Sequence, residues 1–203
     1  MIAPDNQATR ERAAQVISAG GVIAFRTDTF YGLGADPLNR AALRSIRKLK
    51  GREEAKPILV LISDDKVADR FIASRSKLFQ SFAQQHWPGA LTLIDIAHPE
   101  LPDALTAGSG TIGVRLPDDE RVRGLIRICG GALTATSANL SSSLPARSAE
   151  EVQTYFPEGI DLIIDSGEVT VEEPSTVLDL SGSKPQIIRE GIIKRENLAK
   201  LLD

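Results

Sequence analysis

The sequence is poor in the residues that most often mark a reactive site. Its 203 residues include one cysteine, two histidines, one methionine and nine aromatic side chains. A lone cysteine excludes a disulfide framework and any zinc site built on several thiolates, and it fits a reducing compartment, so a cytoplasmic location is expected. Cys129 falls on an apolar helical face and reads as a small core residue. His86 and His98 have no carboxylate pattern beside them and are read as structural or surface residues rather than metal ligands. No apolar stretch approaches the roughly 18 residues of a spanning helix, and residues 1–14 lack the apolar core of a secretory signal, so no membrane association is expected. The phosphate loop G-x-x-x-x-G-K-[ST] and the nucleophile elbow G-x-S-x-G are both missing. Gly108-Ser-Gly-Thr-Ile-Gly113 matches G-x-G-x-x-G by letter, but Val114-Arg-Leu reads as extended where a dinucleotide fingerprint would open a helix. A turn feeding a strand is the better reading.

Charge of one sign is lacking too. Lys and Arg number 24 against 27 Asp and Glu, a net charge of −3, and 42% of the residues are hydrophobic. Disorder would need the opposite balance, so a single domain over residues 1–203 with a sizeable core is expected. Slight acidity argues against a non-specific polyanion binder without excluding a local basic cleft.

Apolar periodicity alternates between helical and extended patterns, with no repeat and no long linker. Helices are expected at 7–19, ending at Gly20-Gly21, and from Asn39 to about Gly51, where Leu43, Ile46 and Leu49 share a face. Others are expected within 64–86, from Asp119 to Cys129, from Ser148 and from Lys194. Strands are expected at 22–25, 91–96, 111–116, 132–136, 162–165, 175–180 and 186–189. The run Ile58-Leu-Val-Leu-Ile62 suits a strand covered on both faces. Ser148-Ala-Glu-Glu151 matches a capping box. Strands that follow one another directly argue against a purely parallel sheet, so the predicted class is α/β with a twisted, open, mixed sheet flanked by helices.

Polar residues collect at strand ends and in the loops beyond them, where α/β proteins tend to bind ligands. Thr27-Asp-Thr-Phe-Tyr-Gly-Leu-Gly34 follows the first strand, either as a ligand loop or as a plain strand-to-helix turn. Lys50, Arg52 and Lys56 place three cations within seven residues, which also suits the end of a helix dipole. Arg115 interrupts an apolar strand and must be paired or point outward. Thr134, Ser137 and Asn139 offer hydroxyls and an amide to phosphate or carboxylate oxygens, or ordinary turn chemistry. Ser175 opens one late strand and Arg189 closes the next. If Lys50, Arg52, Lys56, Arg115 and Arg189 converge, they form a cationic pocket suited to a multiply charged anion such as a nucleoside triphosphate.

In order and spacing these segments resemble the threonylcarbamoyl-AMP synthase family, which carries T-x-T-x-Y-G-L-G, K-x-R…K-P and S-x-N segments. Here they stand as Thr27–Gly34, Lys50-Gly-Arg52…Lys56-Pro57 and Ser137-Ala-Asn139. Similar pieces are Trp87-Pro-Gly-Ala-Leu-Thr92, Thr111-Ile-Gly-Val-Arg-Leu-Pro117, Ser175-Thr-Val and Arg189-Glu-Gly191, so the likeness covers nearly the whole chain. It implies a large positively charged cavity and the synthesis of threonylcarbamoyl-adenylate from L-threonine, bicarbonate or CO₂, and ATP, with release of pyrophosphate. The product would serve the threonylcarbamoyladenosine modification beside the anticodon of certain tRNAs.

The resemblance also implies roles residue by residue. Lys50 and Arg52 would be catalytic. They, Lys56, Thr111, Ser137, Asn139, Ser143 and Arg189 would bind ATP, while Thr27, Thr29, Arg115, Thr134 and Ser175 would bind threonine. Mg²⁺ would enter with ATP, and no residue is assigned as a resident metal ligand. tRNA and the downstream threonylcarbamoyl-transferase proteins are implied partners. Two departures stand out: Arg26 occupies a position usually held by proline, and Ser141-Ser-Ser-Leu-Pro145 replaces S-G-x-P, which bears on any role of Ser143 or Arg147. The chain looks like the short form of the family. The competing readings are a non-enzymatic RNA-binding module of the same fold and a paralogue acting on another carbamoyl or acyl phosphate.

Overall fold

The computed structural model describes residues 1–51, 56–140 and 143–202, which leaves Arg52, Ser141 and Ser142 outside the described residues. The chain opens with strand β1 (Ile2–Pro4) and helix α1 (Gln7–Ser18). Asn6 caps α1 by accepting the Thr9 N–H at 2.9 Å, and Gly20, at φ +81°, provides the left-handed residue just past its end. Strands β2 (Ile23–Arg26) and β3 (Tyr31–Gly34), helix α2 (Arg40–Leu49) and strand β4 (Val60–Ile62) follow. A 3-10 turn at Asp65–Arg70 leads to α3 (Lys77–His86), β5 (Leu91–Ile96), α4 (Asp103–Thr106) and β6 (Thr111–Arg115). Then come α5 (Glu120–Ile128), β7 (Ala132–Thr134), β8 (Thr136–Ser137) and α6 (Ala149–Tyr155). The last elements are β9 (Leu162–Asp165), β10 (Thr176–Asp179), β11 (Gln186–Arg189) and α7 (Arg195–Leu202).

Local chemistry explains the helix starts. Asn39 accepts the N–H groups of Ala41 and Ala42, and Asp119 those of Arg121 and Val122. Ser148 caps α6 by accepting the Glu151 N–H. The returning carboxylate bond of the expected capping box is displaced by one residue, because Glu151 accepts the N–H of Arg147 at 2.7 Å.

The strands form two mixed sheets where a single one was expected. One has the order β1-β9-β2-β3-β8 and the other β11-β10-β5-β6-β4-β7. In the six-stranded sheet, β4 pairs parallel with β6 and antiparallel with β7, so the apolar run at 58–62 does lie inside a sheet, although only Val60–Ile62 is strand. Another expectation needs correction. Thr27–Gly34 is not a strand-to-helix loop, because β2 and β3 form an antiparallel hairpin with Phe25 opposite Gly32 and Arg26 opposite Tyr31. Glycine disguised β3 as a turn. At Gly34 its presence is a packing requirement, since a Cβ would stand 2.7 Å from Phe25 Cε1.

One face of the six-stranded sheet is core: Leu91, Leu93, Ile112, Val114 and Leu178 are buried in one cluster with Phe79 and Phe82 of α3. A second cluster packs Ala13 and Ile17 of α1, Phe25 of β2, Ile126 of α5 and Cys129. Burial pushes the Cys129 thiol up to about 12, as suits a packing residue. The sheets meet where the chain leaves β7. The Thr134 hydroxyl accepts the Ala35 N–H at 2.8 Å, the Thr134 N–H donates to Ala35 O at 3.0 Å, and the Ala135 N–H donates to Leu59 O at 2.8 Å. Two residues later β8 has joined the other sheet. No helix among the described residues is long and apolar enough to cross a membrane.

Candidate functional site

Strand alternation builds the site. On β5, β6 and β10, Thr92 and Ile94, Gly113 and Arg115, and Val177 lie on the face away from the core and line one cavity of about 590 Å³. The five-stranded sheet closes the other side with the β2–β3 turn (Thr27, Thr29, Phe30), Gly32 and the β8 residues Thr136 and Ser137. Pro57, Pro145, Ser175 and Arg189 complete the rim, with Glu172 the one carboxylate in the lining among the described residues.

Six of the residues picked out in the sequence therefore converge: Thr27, Thr29, Arg115, Ser137, Ser175 and Arg189. The Thr27 hydroxyl is occupied in the turn itself, donating to Phe30 O at 2.7 Å and accepting the N–H groups of Thr29 and Phe30. Arg115 is 2% exposed and reaches Asp28 Oδ1 through Nη2 at 2.7 Å, which meets the requirement that a guanidinium in an apolar strand be paired. Its Nε is buried without a partner. Arg189 donates to Ser175 O at 2.9 Å and to Ser175 Oγ at 3.3 Å, while Ser175 Oγ lies 3.2 Å from Thr92 Oγ1. Burial lowers the basicity of both guanidiniums; Asp28 opposes this at Arg115, and the charge of Arg115 adds to it at Arg189. Two arginines that feel each other across a half-enclosed space form a receptor for anions.

The other predicted residues among those described stand elsewhere. Lys50 is 4% exposed, and its ammonium donates to Ser137 O at 2.6 Å and to Asn139 O and Asn139 Oδ1, each at 2.7 Å. Asn139 Oδ1 also accepts the Ser137 hydroxyl at 2.6 Å, and its amide donates to Ser143 O. The K-x-R and S-x-N segments are thus joined through the Lys50 ammonium, which shapes the cavity wall from behind. Lys56 is exposed beside Pro57. Thr134 is fully buried in the seam between the sheets and does not face the cavity. Thr111 begins β6 at the end opposite Arg115, about 13 Å away along the strand, and its hydroxyl lies 3.1 Å from Ser109 Oγ. Arg147 is spent on the carbonyls of Val169, Thr170 and Val171. The sequence reading assigned no role to Asp28, Thr92, Gly113 or Glu172. Asp28 and Thr92 lie inside segments that were picked out, whereas nothing local marks Glu172.

A family model, Sua5/YciO/YrdC, described as telomere recombination, matches residues 15–191. The threonylcarbamoyl-AMP synthase of Pyrococcus abyssi is 33% identical over 190 residues, covering 94% of this chain and 56% of that protein. The Thiobacillus denitrificans protein of the same name is 36% identical over 165 residues, covering 81% of this chain and 87% of its own length. Among solved structures, P. abyssi Sua5 complexed with L-threonine superposes with a TM-score of 0.92 at 31% identity, covering 100% of this chain and 59% of that one. This chain therefore spans little more than half the length of the P. abyssi protein. E. coli YciO, at 24% identity and a TM-score of 0.86, shares the fold over 97% of this chain and 96% of its own. The chain belongs to the Sua5/YciO/YrdC family.

Proposed function

We propose that this chain makes L-threonylcarbamoyl-adenylate from L-threonine, bicarbonate or CO₂, and ATP, releasing pyrophosphate. The observation that carries the reading is the meeting of Arg115, Arg189, Ser137, Ser175 and the Thr27–Thr29 turn on one cavity. Relatives 33% and 36% identical bear the name of that synthase, and one solved relative is described as holding L-threonine.

The chemistry suits a site without a nucleophile. The threonine amine adds to the carbon of CO₂, or of bicarbonate that has given up water: the N–C bond forms as a C=O electron pair moves onto oxygen, and the amine proton leaves to solvent, giving a carbamate. A carbamate oxygen then attacks the α-phosphorus, and the bond to pyrophosphate breaks with the electron pair leaving on oxygen. The protein's task is to orient three reactants and stabilise the charge on their oxygens. Arg115 would take the threonine carboxylate, Arg189 the nucleotide, and the hydroxyls of Ser137 and Ser175 the oxygens between them. Lys50 would act by holding the Ser137–Asn139 loop in shape. Arg52 and Lys56 would meet the phosphates, with Arg52 outside the described residues.

Mg²⁺ fits as part of the ATP complex. The described residues assemble no group of three or more His, Cys, Asp or Glu that could hold a metal, and Glu172 is the one carboxylate in the lining. That donor set matches an ion held chiefly by phosphate oxygens and water, which neutralises phosphate charge when bound. The adenylate, a reactive mixed anhydride, would be handed to proteins that transfer the threonylcarbamoyl group to tRNA.

The test mixes protein, ATP and Mg²⁺ with and without threonine and bicarbonate. Pyrophosphate release is expected only when both are present, with the adenylate seen by mass. Release that ignores the omission of threonine would reject the reading.

A further inference from the structure

The β2–β3 turn places a carboxylate behind Arg115, a residue of the cavity wall, and its geometry is tightly specified. Thr27 closes the turn with its hydroxyl and with its own N–H, which donates to Phe30 O at 3.0 Å. Asp28 is thereby presented to the end of β6. Both of its oxygens are engaged: Oδ1 accepts from Arg115 Nη2 at 2.7 Å, and Oδ2 accepts the Asp118 N–H at 3.3 Å. A carboxylate held at two points, by Arg115 and by the backbone three residues further on, cannot roll freely, and it in turn holds the guanidinium at one nitrogen.

Arg115, for its part, is held by this carboxylate at one nitrogen while its Nε–H is buried without an acceptor. An unpaired donor on a buried cation is costly, and Asp28 is the one carboxylate that pairs with this cation among the described residues. Gly113 precedes Arg115 by two residues on the same face of β6 and lines the same cavity without a side chain. Arg189 lines the same cavity and adds a second positive charge.

We infer that Asp28 is a positioning residue: it fixes the roll of the Arg115 guanidinium on the cavity wall so that the guanidinium meets the carboxylate of an amino-acid substrate, and its charge keeps the buried cation tolerable. The inference rests on the proposed synthase reading, and it adds a residue that never needs to touch threonine to set the affinity for it.

The test compares wild type, Asp28→Asn and Asp28→Ala by calorimetric titration with L-threonine and by steady-state kinetics. Asn retains the Oδ1 acceptor, so Asp28→Asn should weaken threonine binding only a few-fold. Asp28→Ala should raise both the Kd and the KM for threonine by about tenfold or more, with kcat and the KM for ATP changing much less. A second readout needs no substrate. The Arg115 Nε–H signal in a ¹⁵N spectrum, assigned through Arg115→Lys, should be sharp in wild type and in Asp28→Asn and broadened in Asp28→Ala. Equal threonine affinity in wild type and Asp28→Ala, or an unchanged Nε–H signal, would overturn the role of Asp28 alone. A fall in melting temperature and kcat with an unchanged KM would make Asp28 merely structural and would also overturn it. Wild-type protein that binds no threonine would reject the synthase reading, and the Nε–H signal would still decide whether Asp28 orders Arg115.

Discussion

Asp95 carries a charge into a place that does little to accommodate it. The residue is 5% exposed near the end of β5; its Oδ1 accepts the Ile96 N–H at 2.8 Å, and its Oδ2 is buried with no partner. Burial pushes its carboxyl above the usual carboxylate range, the Ile96 N–H opposes this, and the charge of Asp179 reinforces it. A folded state that holds a proton more tightly than the unfolded chain gains stability below the ordinary carboxylate value of 3.8 and loses it as pH rises through the raised value. Asp95→Asn keeps the Oδ1 acceptor and removes the charge. The variant should be more stable than wild type by about 1 kcal/mol at neutral pH, with the advantage shrinking toward pH 4. Thermal unfolding across that range checks it, and parallel curves for the two proteins would refute the assignment.

Among the elements, β7 and β8 depart furthest from what their residues suggested. Hydroxyls at the end of an apolar strand read as ligand groups, and at Ser137 that agrees with a place on the cavity wall. Thr134 instead joins the two sheets, its hydroxyl accepting the Ala35 N–H and donating to Leu33 O at 3.3 Å. Thr134→Val keeps the shape and orphans the Ala35 N–H in a fully buried position, which should cost about 1–3 kcal/mol in urea unfolding. Thr134→Ser should recover most of the loss, and neither variant should change the KM for threonine if the residue serves only the seam. Sequence chemistry could say that Thr134 needed a partner, but not that the partner would be the residue just past β3, 99 positions away. Where the partner was local, reading was easier: the caps at Asn39, Asp119 and Ser148 stand where their side chains indicated. β1 and α4, three and four residues long, are too short for any periodicity to reveal.

For the molecule as a whole, the alternation pattern located most strands but was silent on which would pair. A strand's apolar face says that it is covered, not by what, so one mixed sheet was as consistent with the residues as the two that form. Thr27, Thr29, Arg115, Ser137, Ser175 and Arg189 were legible because each sits at a strand end or turn, and the fold brings those ends to a common cavity. Gly113 was not legible, because its contribution is the room it leaves. A Cβ there would meet Thr92 Cγ2 at 3.3 Å, Ile94 Cγ1 at 3.5 Å and Leu59 Cδ1 at 3.6 Å, so small adjustments suffice to accept one. Gly113→Val should therefore fold with stability within about 1 kcal/mol of wild type, helped by β propensity, while its side chain takes space from the substrate. Turnover should fall at least about tenfold, chiefly through KM. Kinetics paired with melting curves would check this, and unimpaired turnover would mean that the substrate lies elsewhere in the cavity.

The seam at Thr134–Ala35 has one more consequence. Because the floor of the cavity belongs to one sheet and its opposite wall to the other, the distance between them is fixed by a few backbone bonds at that staple. A guest that touches both sides would act as a brace between the two sheets, adding contacts to the few bonds that join them at the seam.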